Sequence, residues 1–152
     1  MVRAIASIPI VLYLVALGLG LIGVRLPFAS DALSPLAQWM LVLSLGVQSL
    51  WAAFCHGFMA ERVANSIGWQ LSPFQHEIAS ANLGIGLSAI TAAVLGPAAA
   101  WVAFVMAASF LWSAAGVHIR DMVSSKNFAI NNAGPIFWWD ILTPLTLLVT
   151  LL

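Results

Sequence analysis

Charge is the scarcest property of this sequence. Of 152 residues only 7% are Asp, Glu, Lys or Arg, against roughly 25% in soluble domains, and that gap excludes an ordinary soluble globular fold. Five basic residues are balanced by five acidic ones, for a formal net charge of zero. With no basic surface to collect phosphates, nucleic-acid binding has no electrostatic basis. A disordered acidic tail is excluded on the same count. The single cysteine, Cys55, cannot form an intrachain disulfide, and no Cys-x-x-Cys, His-x-x-x-His or Gly-x-Ser-x-Gly pattern occurs.

What fills the chain instead is apolar: 62% of residues are hydrophobic and the mean hydropathy is +1.04. A membrane-spanning helix needs about 20 such residues in a row. Five stretches approach or meet that length, at about 8–24, 35–59, 72–95, 97–119 and 135–152. Together they leave no room for a separate soluble domain. The expected fold is therefore a single all-α integral membrane bundle of about five transmembrane helices, or four.

Proline, glycine and serine mark the boundaries. Ser34-Pro35 reads as an N-cap followed by the first helical residue, where proline's missing N–H costs nothing. Ser72-Pro73-Phe74-Gln75 repeats the device and adds a Gln at the position that completes a capping box. Gly96-Pro97 predicts a tight antiparallel turn between helices three and four, and Gly134-Pro135 opens the last helix. Arg3 ahead of an apolar run, with Ser30-Asp31-Ala32 beyond it, resembles a secretory signal. Arg25 interrupts that pattern, so the segment is expected to stay as a span.

Positive charge predicts the orientation. Arg3, Arg62, Arg120 and Lys126 fall on one side of a five-span bundle and Arg25 alone on the other, which places the N-terminus in the cytoplasm and the C-terminus outside. Trp39, Trp69, Trp101, Trp138 and Trp139 fall near helix ends, as interfacial belt residues do, while Trp51 and Trp112 lie deeper.

The remaining ionisable groups gather at that same cytoplasmic side, and in a membrane protein such groups face a cavity or the bundle interior. His118 and Asp121 are spaced i, i+3 on one helix face, where the carboxylate can orient the imidazole; equally, a histidine there complements the helix C-terminus. Glu77 suits the positive end of helix three, and Asn82 needs a partner in lipid, from a neighbouring helix or a ligand. Asp140 stands four residues before Pro144, which cannot donate to the Asp140 carbonyl. A freed carbonyl beside a carboxylate suits a cation, unless Thr143 or Thr146 satisfies the carbonyl and Asp140 pairs with Arg120 or Lys126. The Asn-rich loop from Ser124 to Pro135 specifies turns rather than a helix and can fold over the mouth as a lid. A candidate ligand or ion pocket thus comprises Glu77, Asn82, His118, Asp121, Asn132 and Asp140. His56, His76 and His118, from three helices, form the alternative set for haem or a metal ion.

Several segments carry a resemblance: Ile67-Gly68-Trp69, Ser72 to Glu77, Ala81-Asn82-Leu83-Gly84-Ile85-Gly86, Gly116-Val117-His118 and Asn132-Ala133-Gly134-Pro135 with Asp140. Over roughly residues 45–150 the chain resembles a family of small bacterial polytopic inner-membrane proteins classed as a domain of unknown function; the first span stands outside that resemblance. It implies a multi-span bundle in a bacterial membrane and supplies no activity. The expected function is a binding, accessory or small transport protein of that membrane, without enzymatic activity, its pocket linked to a proton or cation. Its expected partners are the lipid bilayer and a homo-oligomer or larger membrane complex, as an accessory subunit; no cofactor is expected unless the haem or metal reading holds.

Overall fold

The same prolines and glycines that punctuate the sequence set the helix ends in three dimensions. A computed structural model describes residues 2–152, with side chains described from Ala6 onward, so the side chain of Arg3 lies outside the described residues. The elements are α1 (Val2–Leu21), α2 (Pro35–Phe58), α3 (Ala60–Ile67), α4 (Phe74–Leu95), α5 (Pro97–Ser124), a single turn α6 (Ile130–Ala133) and α7 (Pro135–Leu151). No strand occurs among the described residues. Four segments are long and apolar enough to cross a bilayer: Pro35–Phe58, Phe74–Leu95, Pro97–Ser124 and Ile130–Leu151. The described apolar stretch of α1, Ala6–Leu21, is shorter, and α1 packs along α2 and α7. The protein is an all-α, multi-pass membrane bundle.

Ser34 caps α2 as its position demands, its Oγ accepting the Ala37 N–H at 3.1 Å with Pro35 as the first helical residue. Gly96, at φ +97°, takes a conformation that side chains resist and turns the chain into Pro97 at the head of α5. At Gly134 a Cβ would run into the Ile130 carbonyl oxygen, so the turn into Pro135 needs glycine. The second helix ends at Phe58, within a residue of its expected end, where Met59 (φ −129°, ψ 33°) leaves helical geometry and redirects the chain into α3. Two expectations are corrected. The capping box does not form: α4 starts at Phe74 without a side-chain cap, and Gln75 is turned into the interior. The Asn-rich loop contains the helical turn α6, and α5 continues to Ser124.

Helices α2 and α4 approach each other closely. A Cβ on Gly86 would lie 2.9 Å from the Gly46 carbonyl oxygen and 2.8 Å from Leu50 Cγ. Small residues permit such crossings where lipid offers no hydrophobic drive between helices. Gly46 belongs to a π-helical stretch of α2, Met40–Val47. That stretch is pinned by α7: Trp139 Nε1 donates to the Ser44 carbonyl at 2.9 Å, and the Ser44 and Thr143 hydroxyls are 2.8 Å apart. Trp139, 2% exposed, is therefore a core residue and not part of an interfacial belt.

Polar contacts close each end of the bundle. At one end Gln38 binds the Leu26 N–H and the Ser30 carbonyl, Trp39 Nε1 donates to the Val24 carbonyl, and Arg25 stands 3.7 Å from Asp31. At the other end α3, the Asn-rich loop and the C-terminal part of α5 converge, and there the polar interior is found.

Candidate functional site

At that second end the helices line a partly open cavity of about 160 Å³. Its walls are mainly aliphatic and aromatic, with Trp51, Trp69 and Trp139 among them, and every helix contributes to the lining. The polar minority consists of Gln48 and His56 on α2, Gln75 and Asn82 on α4, His118 on α5, Asn131 on α6 and Asp140 on α7.

His118 and Asp140 are the buried ionisable pair. They are 7% and 3% exposed, and His118 Nε2 lies 3.7 Å from Asp140 Oδ2. The imidazole is fixed from its other side. Asn132, fully buried, donates from Nδ2 to the Asn127 carbonyl at 2.7 Å. Its Oδ1 is thus the end that faces His118 Nδ1, also at 2.7 Å, so Nδ1 is the donor. A neutral His118 then presents an unprotonated Nε2 to a carboxylate. Two acceptors face each other across a gap too long for a hydrogen bond, in a place where an unmatched charge is costly. The pair requires a proton on one member or a donor placed between them.

The chain of contacts continues outward. Asn127 Nδ2 lies 2.6 Å from Asp121 Oδ2 and 2.8 Å from the Ile67 carbonyl, and Trp69 Nε1 donates to the same Asp121 oxygen at 2.9 Å. Trp69 is stacked on His118 with ring centroids 5.8 Å apart and planes at 18°. Asp121 therefore acts on the imidazole through Trp69 and Asn127, not by the direct contact that the i, i+3 spacing allows. The loop does fold inward, and it does so by burying Asn132 beside His118.

A family model, described as a family of unknown function (DUF6790), matches residues 6–152. The chain belongs to DUF6790. The DUF6790 match takes in α1, which the resemblance over residues 45–150 left out, and α1 lines the cavity through Ala6 and Pro9. No curated protein and no solved structure matches the chain.

The residues singled out from the sequence divide in two. Asn82, His118, Asn132 and Asp140 come together in or against the cavity, with Asp121 behind them. Glu77 and His76 are exposed at the start of α4 and do not line it. His56 lines the cavity with its Nδ1 2.6 Å from Gln75 Oε1. Among the described residues no three His, Cys, Asp or Glu side chains are grouped to hold a metal ion.

Asn82 bonds within its own helix, donating to the Ile78 carbonyl at 3.0 Å. The threonines around Pro144 are also committed elsewhere, Thr143 to Ser44 and Thr146 to Tyr13 at 3.0 Å. The partner of Asp140 is His118; Arg120 and Lys126 are exposed. Sequence reasoning missed Gln48, whose Oε1 is buried without a hydrogen-bond partner. A lone glutamine in the middle of an apolar run was the available signal, since its amide must find partners inside the membrane.

Proposed function

We propose that this protein is a binding and small-transport protein of the bacterial inner membrane that takes a solute into the cavity and exchanges it against a proton held at His118 and Asp140. The observation that carries this reading is the buried pair itself: a carboxylate and an imidazole with a fixed Nδ1–H, set against each other in the wall of an intramembrane cavity. Buried ionisable groups facing a cavity are the usual markers of substrate and proton pathways. Arg62, Arg120 and Lys126 gather at the cavity end and Arg25 at the other, which favours a cytoplasmic mouth. Helical spans and the resemblance to inner-membrane proteins support that membrane.

The test is solute-driven proton movement in proteoliposomes holding a pH-sensitive dye, with protein-free vesicles as the reference. Small cationic, neutral and anionic solutes are offered in turn. One class is expected to shift the internal pH with wild-type protein and to lose that effect in Asp140→Asn. Equal responses in wild type and variant would remove the proton role.

A further inference from the structure

Resting on the reading above, we infer that the cavity is a site for a small organic cation bearing N–H donors on a flat apolar body, an amidinium or a primary ammonium, which competes with the proton for Asp140.

The acceptor left open at the cavity wall sets the class of ligand. Four side-chain N–H donors at the cavity are already engaged by the protein: Trp69 with Asp121, Trp139 with the Ser44 carbonyl, Asn82 with the Ile78 carbonyl and Asn131 with Ser66 Oγ. The orientation of Asn131 is secure, because Ser66 gives its own hydroxyl proton to the Val63 carbonyl at 2.7 Å and can only accept from Asn131. The unpartnered side-chain oxygens of Gln48 and Asn131 are sealed in the packing. The acceptor that remains is the Asp140 carboxylate, which lines the cavity with only His118 Nε2 within reach, and that nitrogen is itself an acceptor when the ring is neutral. An unmatched buried carboxylate is costly, and a ligand with N–H donors satisfies it. Its full negative charge favours a cationic ligand over a neutral one. Tryptophan is the best aromatic partner for a cation, and three line the walls.

Size narrows the class. A cavity of about 150 Å³ holds one benzene-sized molecule, and this one measures about 160 Å³. One ring with a short cationic head matches that volume. The titratable groups facing Asp140 across the cavity are His118 on α5 and His56 and Cys55 on α2, and the described lining from α1, α3, α4 and α6 has none. A cation that pairs with ionised Asp140 expels the proton of the pair, so its affinity rises with pH while the pair is protonated, by about tenfold per pH unit for a one-proton exchange.

The test uses three near-isosteric probes on the full chain in lipid nanodiscs: benzamidine (cation), benzamide (neutral) and benzoate (anion). Calorimetry in two buffers of different ionisation enthalpy reads affinity and protons released. Benzamidine is expected to bind at least tenfold more tightly than benzamide, with net proton release, and benzoate not at all. Asp140→Asn, matched in size, should remove the preference for the cation; because the probe series is read on wild-type protein, a variant that fails to fold does not blunt the test. Equal binding of benzamidine and benzamide, tighter binding of benzoate, or no binding of any probe, as expected of a cavity that holds water only, would overturn the cation site. Failure of the two readings is distinguishable. Cation binding without proton release sinks proton exchange and the competition for the proton together, and leaves a cation site alone. Asp140-dependent proton movement driven by an anion or a neutral solute sinks the cation site alone.

Discussion

His118 and Asn132 are fourteen residues apart and joined by one 2.7 Å hydrogen bond that decides which nitrogen of the imidazole carries its proton. The decision is made by Asn132, because its amide N–H is already given to the Asn127 carbonyl and only its oxygen remains. A buried amide with both ends engaged is a rigid reporter, and it holds the Nε2 of His118 toward Asp140.

This arrangement is checked by the nitrogen chemical shifts of ¹⁵N-labelled histidine, with His118 assigned through His118→Gln. Wild-type protein with a neutral ring should show a protonated Nδ1 and a bare Nε2. Asn132→Leu removes the acceptor, so His118 should lose that tautomer preference, at a stability cost of about 1–3 kcal/mol for the unpaired groups left behind. Asn132→Asp retains an acceptor opposite Nδ1 and should keep the proton there. A wild-type spectrum with the proton on Nε2 would contradict the whole chain of contacts from Asp121 inward.

The crossing of α2 and α4 leads to a second expectation. Gly86→Ala places a methyl 2.8 Å from Leu50 Cγ and 2.9 Å from the Gly46 carbonyl oxygen, and overpacking of this kind costs about 1–3 kcal/mol. At Gly84, two residues away on the same helix, an added methyl would meet nothing within 4 Å. Gly84→Ala should therefore be neutral or slightly stabilising, since alanine is the better helix former. Thermal denaturation in a fixed detergent, followed by circular dichroism, separates the two variants; equal midpoints would mean that the α2–α4 approach is looser than described.

The sequence made some of this legible and not the rest, for physical reasons. Apolar length and Pro/Gly punctuation are local properties, so the helices and the turn at Gly96-Pro97 could be read directly. The concentration of polar groups at one end was also readable, because four of the acidic residues and all three histidines fall there. Pairing was not readable. Whether Asp140 meets Arg120, Lys126 or His118 depends on how helices rotate about their axes, and no spacing along one helix fixes that. The π-helical turns at Met40–Val47 left no mark in composition, and neither did the inward rotation of Gln75, which trades a cap for a contact with His56. Trp139 misled for a similar reason: one residue of difference in sequence moves a helical side chain through about 100°, enough to put Trp138 half exposed and Trp139 in the core.

Orientation supplies the last expectation, and it can be tested without any ligand. The positive-inside rule weighs short loops near span ends, and the described basic residues fall three to one: Arg62, Arg120 and Lys126 at the cavity end, Arg25 at the other. Cys55 is buried, so a membrane-impermeant maleimide should leave the wild-type protein unlabelled and report only on introduced thiols. Lys126→Cys and Asp31→Cys place them at opposite ends of the bundle, both in exposed loops. Asp31 is nearly fully exposed and its contact with Arg25 is a surface pair, worth at most about 1 kcal/mol, so the fold should survive its loss. In intact spheroplasts of an expressing bacterium, Asp31→Cys should label at once and Lys126→Cys only after the membrane is opened. The reverse pattern would turn the cavity end outward, and a solute would then be taken from the outer face.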